Sequence, residues 1–381
     1  MNKCDETVGF ITFKMPLCSL IEAPKYFIKK VQFPHITIKY LYNIHFTAKI
    51  MDSISLEKCK TILKHYYGLE ATINHINGGG SASVFMVNTQ DNRYVLKVYD
   101  KANPITQKYI SNLDFSLLAL KSLLKIEFVS TRIASPIHSL SGTYKIENDV
   151  CAYTLSEYIE GKVSGRGSLQ KNHIEQLSEF LGILHSQALE ICLSWQAPSE
   201  NFELPFLKNL STKNFCSNKN IISILNRYSY ETEFFIDRLL ELSYKLKKKS
   251  QEYVLCHTDI NNWNIILSGS NVCLIDWDGM KFAPAEHDLF PFILSPHWSI
   301  FYKNYQNHII DYKLDVDAFE YYFIKKKLED ICEWIERLDS KCFSAGQQYI
   351  FFSRLKHEFK DYPILMNTRE KISLILNSKF S

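Results

Sequence analysis

The chain reads as an α+β protein in two lobes, a small antiparallel sheet with one helix followed by a larger, mainly helical lobe. Three observations predict this. Strand-like runs "ATINHI" (71–76), "SVFMVNT" (83–89) and "RYVLKVY" (93–99) follow one another at hairpin spacing. After Gly161 the apolar residues recur with helical periodicity, beginning with "KNHIEQLSEFLGILHSQAL" and continuing over 221–249, 317–338 and 346–359. Only 253–276 interrupts that pattern, with two short apolar runs.

Residues 1–50 mix "FITFKM", "YFIKK" and "ITIKYLYNIHF" without a clean period, so no element is assigned to them. Met51 is followed by "DSISLEKCKTILKHYYGL", where Asp52 or Ser53 can cap a helix carrying Leu56, Ile62, Leu63 and Tyr66 at helical spacing. The organised fold is therefore expected to start near Met51, with 1–50 an N-terminal extension of unknown role or the result of a wrongly chosen start codon. "NGGGSA" and "QDN" separate the three strands, and an amphipathic segment from Ile105 to Leu124 reads as a helix. "RIASPIHS" and "GTYKI" suggest further strand and turn, and "CAYTLSEYIEG" (151–161) a buried strand that ends at Gly161. The lobes divide as 51–158 and 159–381.

Composition narrows the function classes. The 381 residues are 46% apolar and 22% charged with a net charge of +3, ordinary for a globular protein and without strong attraction for nucleic acid or an acidic membrane. Ten cysteines are scattered with no C-x-x-C pair, and Cys151, Cys256 and Cys273 lie in apolar runs, as expected of buried thiols in a reducing compartment. No apolar run approaches the ~20 residues that span a bilayer. The N-terminal "GFITFKMPLCSLI", broken by Lys14 and Pro16, makes a poor signal peptide. A cytoplasmic monomer or homodimer is expected, with no nucleic acid or membrane partner.

The chemistry concentrates in "VLCHTDINNWNIIL" (254–267), a strand-like run interrupted by His257, Asp259, Asn261, Asn262 and Asn264. Asp and Asn favour turns over helix, because their side chains compete for the local backbone. Downstream, "VCLIDWDGM" places Asp276 at the end of another apolar run. Asp, Asn and a second Asp form a set of hard oxygen donors suited to Mg²⁺ with phosphate. The spacing H-x-D-x-x-x-x-N, then strand and Asp, matches the catalytic and metal loops of kinases. Upstream, "INGGGSAS" supplies glycines where backbone can approach phosphate, with Ser81 and Ser83 as further donors. Lys97 sits inside an apolar strand, where an ammonium is costly unless paired.

With these in family order, joined by "SEYIEG", "LGILHS" and "LIDWDGMKFAPAEHDL", the chain from Ser53 to about residue 360 resembles the aminoglycoside phosphotransferase family. The blocks at either end look especially like its spectinomycin phosphotransferase branch. The resemblance implies a protein-kinase-like bilobal fold and an ATP- (or GTP-) and Mg²⁺-dependent transfer of the γ-phosphoryl to a small-molecule hydroxyl. It implies Asp259 as catalytic base and Asn264 and Asp276 as metal ligands. It gives nucleotide contacts to Gly79, Gly80, Ser81, Ser83 and Lys97, and to Ser156, Glu157 and Tyr158 as the adenine-reading hinge. His257 and Asp288 become supports of the catalytic loop. Asp278, Glu329 and Asp330 are candidate substrate contacts, although the acids beside "KKK" also read as a solvated face with i,i+4 ion pairs.

One departure stands out. The family usually offers a Glu on the helix after the lysine strand; here none precedes Glu127, and Asp114 is the only acid, so the partner of Lys97 is open. An antibiotic kinase, a housekeeping kinase of choline, a sugar or an amino alcohol, and a silent pseudokinase remain the readings. Lys97, Asp259, Asn264 and Asp276, all present, argue against the last.

Overall fold

The structure, a computed structural model, describes residues 55–76, 82–165, 167, 169–186, 197–211, 219–309, 311–339 and 344–378. The expectations for 1–50, and for Asp52 and Ser53 as caps, lie outside the described residues. Helix α1 (Leu56–Tyr67) opens instead at Ser55, whose hydroxyl accepts the Lys58 N–H at 3.2 Å. It ends at Gly68 in the left-handed region (φ 67°). Its buried residues Cys59, Ile62, Leu63 and Tyr67 recur at helical spacing and pack on Phe85, Val87, Leu96 and Leu155 of the sheet.

The sheet is six-stranded and antiparallel. Strands β1 (Thr72–Ile76), β2 (Ser83–Asn88) and β3 (Arg93–Asp100) form a meander, so the three sequence runs pair as expected. β4 (Pro136–Ile137) and β5 (Lys145–Glu147) both join β6 (Cys151–Glu157), which pairs with β3. Lys97 therefore lies on an inner strand, between Val84 and Thr154.

The single helix expected over 105–124 is two: α2 (Pro104–Ile110) and α3 (Leu113–Leu123). The break has a local cause. Ser111 turns its hydroxyl onto the Lys108 carbonyl, and the Asn112 amide donates to the carbonyls of Asp278 at 2.7 Å and Met280 at 2.9 Å. An Asn that binds distant carbonyls cannot also sit on a helix's apolar face, and periodicity alone does not register that choice.

The C-terminal part is built on α4 (Lys171–Ser186), α5 (Ser229–Lys248), α6 (Glu286–Ile293), α7 (Trp298–Gln306), α8 (Val316–Asp339), α9 (Ala345–Lys360) and α10 (Thr368–Asn377), with short helical turns between them. One core joins α4, α6 and α7 to α3 through Phe115, Leu123, Phe180, Leu184, Leu289 and Phe301; a second joins α5, α8 and α9. Three hairpin-like pairings cross this helical mass. β8 (Val254–Cys256) pairs with β11 (Lys281–Ala283), and β9 (Ile265–Ser268) pairs with β10 (Asn271–Leu274) and with β7 (Lys162–Val163). They carry both ends of the polar loop that the sequence singled out. Cys151, Cys256 and Cys273 are buried free thiols. Among the described residues no helix is long and apolar enough to cross a membrane.

Where α6 begins, Glu286 is buried and accepts the Asp315 N–H at 2.6 Å and the Tyr312 hydroxyl at 2.8 Å. Burial outweighs those bonds and pushes its carboxyl up to about 7 from 4.5. The folded state therefore holds this proton more tightly than the unfolded chain. The contribution is complete below pH 4.5 and fades as pH rises through 7. Denaturant titrations across that window should show Glu286→Gln losing stability less steeply than the natural chain; parallel curves would count against it.

Candidate active site

The loop from His257 to Asn264 is held by one buried carboxylate. Asp288, in the first turn of α6, accepts the N–H groups of His257 and Thr258, each at 2.7 Å. The Nε2–H of His185, from α4, donates to the same group at 3.2 Å, and His185 Nδ1 accepts the Tyr305 hydroxyl at 2.8 Å. The His185 side chain above all holds the Asp288 carboxyl below its ordinary range despite complete burial. Thr258 needs such bracing because it is β-branched and sits at φ 74°, a region that costs about 1–2 kcal/mol for a residue with a Cβ. Its hydroxyl donates to the Gly279 carbonyl at 2.9 Å, and a Cβ on Gly279 would stand 2.6 Å from that hydroxyl. The "TD" and "DG" turns are thus packed directly together. His257 donates from Nε2 to the Ile275 carbonyl at 3.0 Å and receives the Asp259 N–H on Nδ1 at 3.3 Å, so its ring ties the two loops.

Asp259 opens toward solvent, its side chain 45% exposed. The Asn264 amide donates to its Oδ2 at 2.9 Å and to its backbone carbonyl at 2.8 Å, and Asn261 donates to Oδ1 at 3.1 Å. Asn264 turns its N–H₂ onto Asp259, which leaves its carbonyl oxygen for another partner. Asp276 sits at φ 71°, ψ 60°, a strained placement that aims its carboxylate away from the β10 strand line. The Ile275 N–H donates to the Asn264 backbone carbonyl at 3.0 Å, which puts Asn264 beside the turn of Asp276. An amide oxygen and a carboxylate are hard donors that Mg²⁺ accepts, so the residue types present fit such an ion. Both Asp259 and Asp276 bear on the Tyr109 phenol of α2, which burial, first of all, pushes up.

Lys97 reaches Asp276 Oδ1 at 2.7 Å and both oxygens of Asp278 at 3.0 Å. The Tyr99 hydroxyl donates to Asp278 Oδ2 at 2.8 Å. Asp114 takes no part: its side chain is 63% exposed and pairs with Lys145 at 2.7 Å. Asp278, a candidate substrate contact, lies behind Lys97 with its side chain only 11% exposed. Burial pushes the Asp276 carboxyl up, but the Lys97 ammonium outweighs it and the net is downward; in Asp278 burial wins. The ammonium itself stays charged, held well above its usual value by the two carboxylates against desolvation.

Gly79, Gly80 and Ser81 lie outside the described residues. Ser83 opens β2 opposite Val98. In the hinge segment Ser156 pairs across from Val95 and Pro136. The Glu157 N–H donates to the Ser135 carbonyl at 2.9 Å and the Tyr158 N–H to the Arg93 carbonyl at 3.1 Å. Both amides are therefore engaged within the protein.

On α8 the acids are partnered. Asp330 binds Lys326 at 2.9 Å, and Glu329 lies 4.0 Å from Lys325. These are the i,i+4 pairs that the sequence reading allowed. Lys326 also stands 4.0 Å from Asp259, a contact that periodicity does not reveal, since three consecutive lysines face three directions. Burial pushes the Asp330 carboxyl up to about 6. Tyr99 was open to earlier notice: two residues beyond Lys97, it shares a face of the strand. Asn112 was not, because its partners come from far along the chain.

Removing the brace should be costly. Asp288→Ala strands two backbone donors and a His in the core, and a loss of about 3–5 kcal/mol is expected by chemical denaturation. A change below 1 kcal/mol would mean the loop holds itself.

Comparison with known proteins agrees with this architecture. No curated protein sequence matches the chain. Among solved structures, spectinomycin phosphotransferase in complex with ADP and spectinomycin superposes with a TM-score of 0.65 at 20% identity, over 83% of this chain and 98% of that one. An amicoumacin kinase bound to AMP-PNP and Ca²⁺ gives 0.60 at 13% identity over 83% and 95%. A microcompartment-associated aminopropanol kinase gives 0.54 at 13% over 82% and 98%. These likenesses establish the protein-kinase-like fold. The model of the phosphotransferase enzyme family matches residues 72–323, from the first strand of the sheet into the first turns of α8 and across Lys97, Asp259, Asn264, Asp276, Asp278 and Asp288, and the chain belongs to that family.

Proposed function

We propose that the protein moves the γ-phosphoryl group of ATP to a hydroxyl of a small molecule, with an aminoglycoside or aminocyclitol antibiotic such as spectinomycin as acceptor. The observation that carries this reading is the meeting of Lys97, from the sheet, with Asp276, 179 residues later, at 2.7 Å. Such catalysis is mostly positioning and electrostatics. Lys97 binds nucleotide phosphates, while the segment Ser156–Tyr158 borders the base. Asn264 orients Asp259, whose exposed carboxylate aligns the acceptor hydroxyl and takes its proton as the oxygen attacks the γ-phosphorus and the bond from that phosphorus to the β,γ-bridging oxygen breaks, releasing ADP. Asn264 and Asp276 would hold Mg²⁺, which supplies charge neutralisation on the phosphates. In this reading 51–158 is the nucleotide lobe and 159–381 the catalytic and acceptor lobe.

A second reading is a housekeeping kinase of choline, a sugar or an amino alcohol. What favours it is the pairing of Glu329 and Asp330 with Lys325 and Lys326, which leaves the acceptor side less anionic than a polycationic antibiotic would prefer. Nucleotide consumption by the purified protein with spectinomycin, aminoglycosides, choline and sugars separates the two, as does drug resistance in a sensitive host. Asp259→Ala should lower kcat by roughly 10²–10⁴-fold while the protein stays folded. Near-normal turnover of that variant would refute the assignment.

A further inference from the structure

Lys97 has no acid from the helices that follow its strand. α2 carries none, and the single acid of α3, Asp114, is spent on Lys145 at the surface. A buried ammonium left without a fixed partner would be both costly and badly aimed. Its two partners come instead from the turn after β10, and they differ in how they are held. Asp276 meets Lys97 through one oxygen, and its side chain is 28% exposed. Asp278 is 11% exposed and meets Lys97 through both oxygens. The Tyr99 hydroxyl fixes the same carboxylate, and Asn112 fixes its backbone carbonyl. Asp278 is thus tied to the sheet and to the start of α3 at once.

Resting on the function proposed above, we infer that Asp278 is the permanent anchor of Lys97, a positioning residue standing in for the missing helix acid. Asp276 is a provisional partner that is released to the metal when nucleotide binds. Because Asp278 holds Lys97 through both oxygens, an arriving divalent cation can take Asp276 without stripping Lys97 bare. Neither Asp278 nor Tyr99 need touch substrate in this scheme. The separation of roles also accounts for the break between α2 and α3, since Asn112 can reach the turn only where the helix is interrupted.

The test reads nucleotide binding without catalysis. A fluorescent ADP analogue is titrated against the full chain in EDTA, and the Mg²⁺ dependence of binding is then followed. Asp278→Asn should weaken metal-free binding by about tenfold or more while leaving the Mg²⁺ midpoint in place. Asp276→Asn should do the reverse, keeping metal-free binding and losing the Mg²⁺ response. Tyr99→Phe, a milder change that keeps the ring, should weaken metal-free binding by about threefold, which covers the case in which Asp278→Asn does not fold. Asp114→Ala should leave binding unchanged. Unaltered metal-free binding in Asp278→Asn or in Tyr99→Phe overturns the anchor, and a shifted Mg²⁺ midpoint in Asp278→Asn overturns it in favour of Asp278 as a metal ligand. If the natural chain itself binds no nucleotide, it is the proposed function that fails.

Discussion

The Asp288 carboxylate organises the site from behind. It is fully buried, and it accepts from two successive backbone amides and an imidazole. Those bonds allow Thr258 to occupy a left-handed conformation that its branched side chain disfavours. That turn in turn directs Asp259 outward from a strand whose other residues point into the core. Because the Thr258 hydroxyl rests on Gly279, the same brace sets the height of the second turn, which carries Asp276 and Asp278. Strain in one place is held by close packing in another.

Charge is arranged in two layers. The inner one is Lys97 with Asp276 and Asp278, mostly shielded from water, where each pairing acts in a lowered dielectric. The outer one is Asp259, Lys326 and Glu329, nearly half open to solvent, with Asp330 and Lys325 more sheltered as their partners, so that pairs at its rim are screened. The inner layer is suited to phosphate and a divalent cation.

Strand runs and long helices were legible because both follow from burial of a repeating apolar face. The meander of β1 to β3 and helices α4, α8 and α9 fall where periodicity puts them. Periodicity failed at 105–124, where Asn112 gives up helix geometry to bind carbonyls of Asp278 and Met280. The cap at α1 was misplaced by a few residues, since any of several small polar side chains could have served and only geometry selects Ser55. In the site, the grouping of Asp259, Asn264 and Asp276 follows from their spacing around β9 and β10. The engaged amides of Glu157 and Tyr158 could not be foreseen, because their acceptors belong to other strands.

What the sequence determined by itself is local: which segments bury a face, where the chain must turn, and which short polar intervals cannot be core. Such properties depend on neighbours within a few residues. What the tertiary structure decided is pairing. Lys97 could have met Asp114, seventeen positions on, and instead meets Asp276 and Asp278, 179 and 181 positions on. An ammonium on an inner strand takes the carboxylates that packing brings to it, and nothing in the local sequence states which those will be.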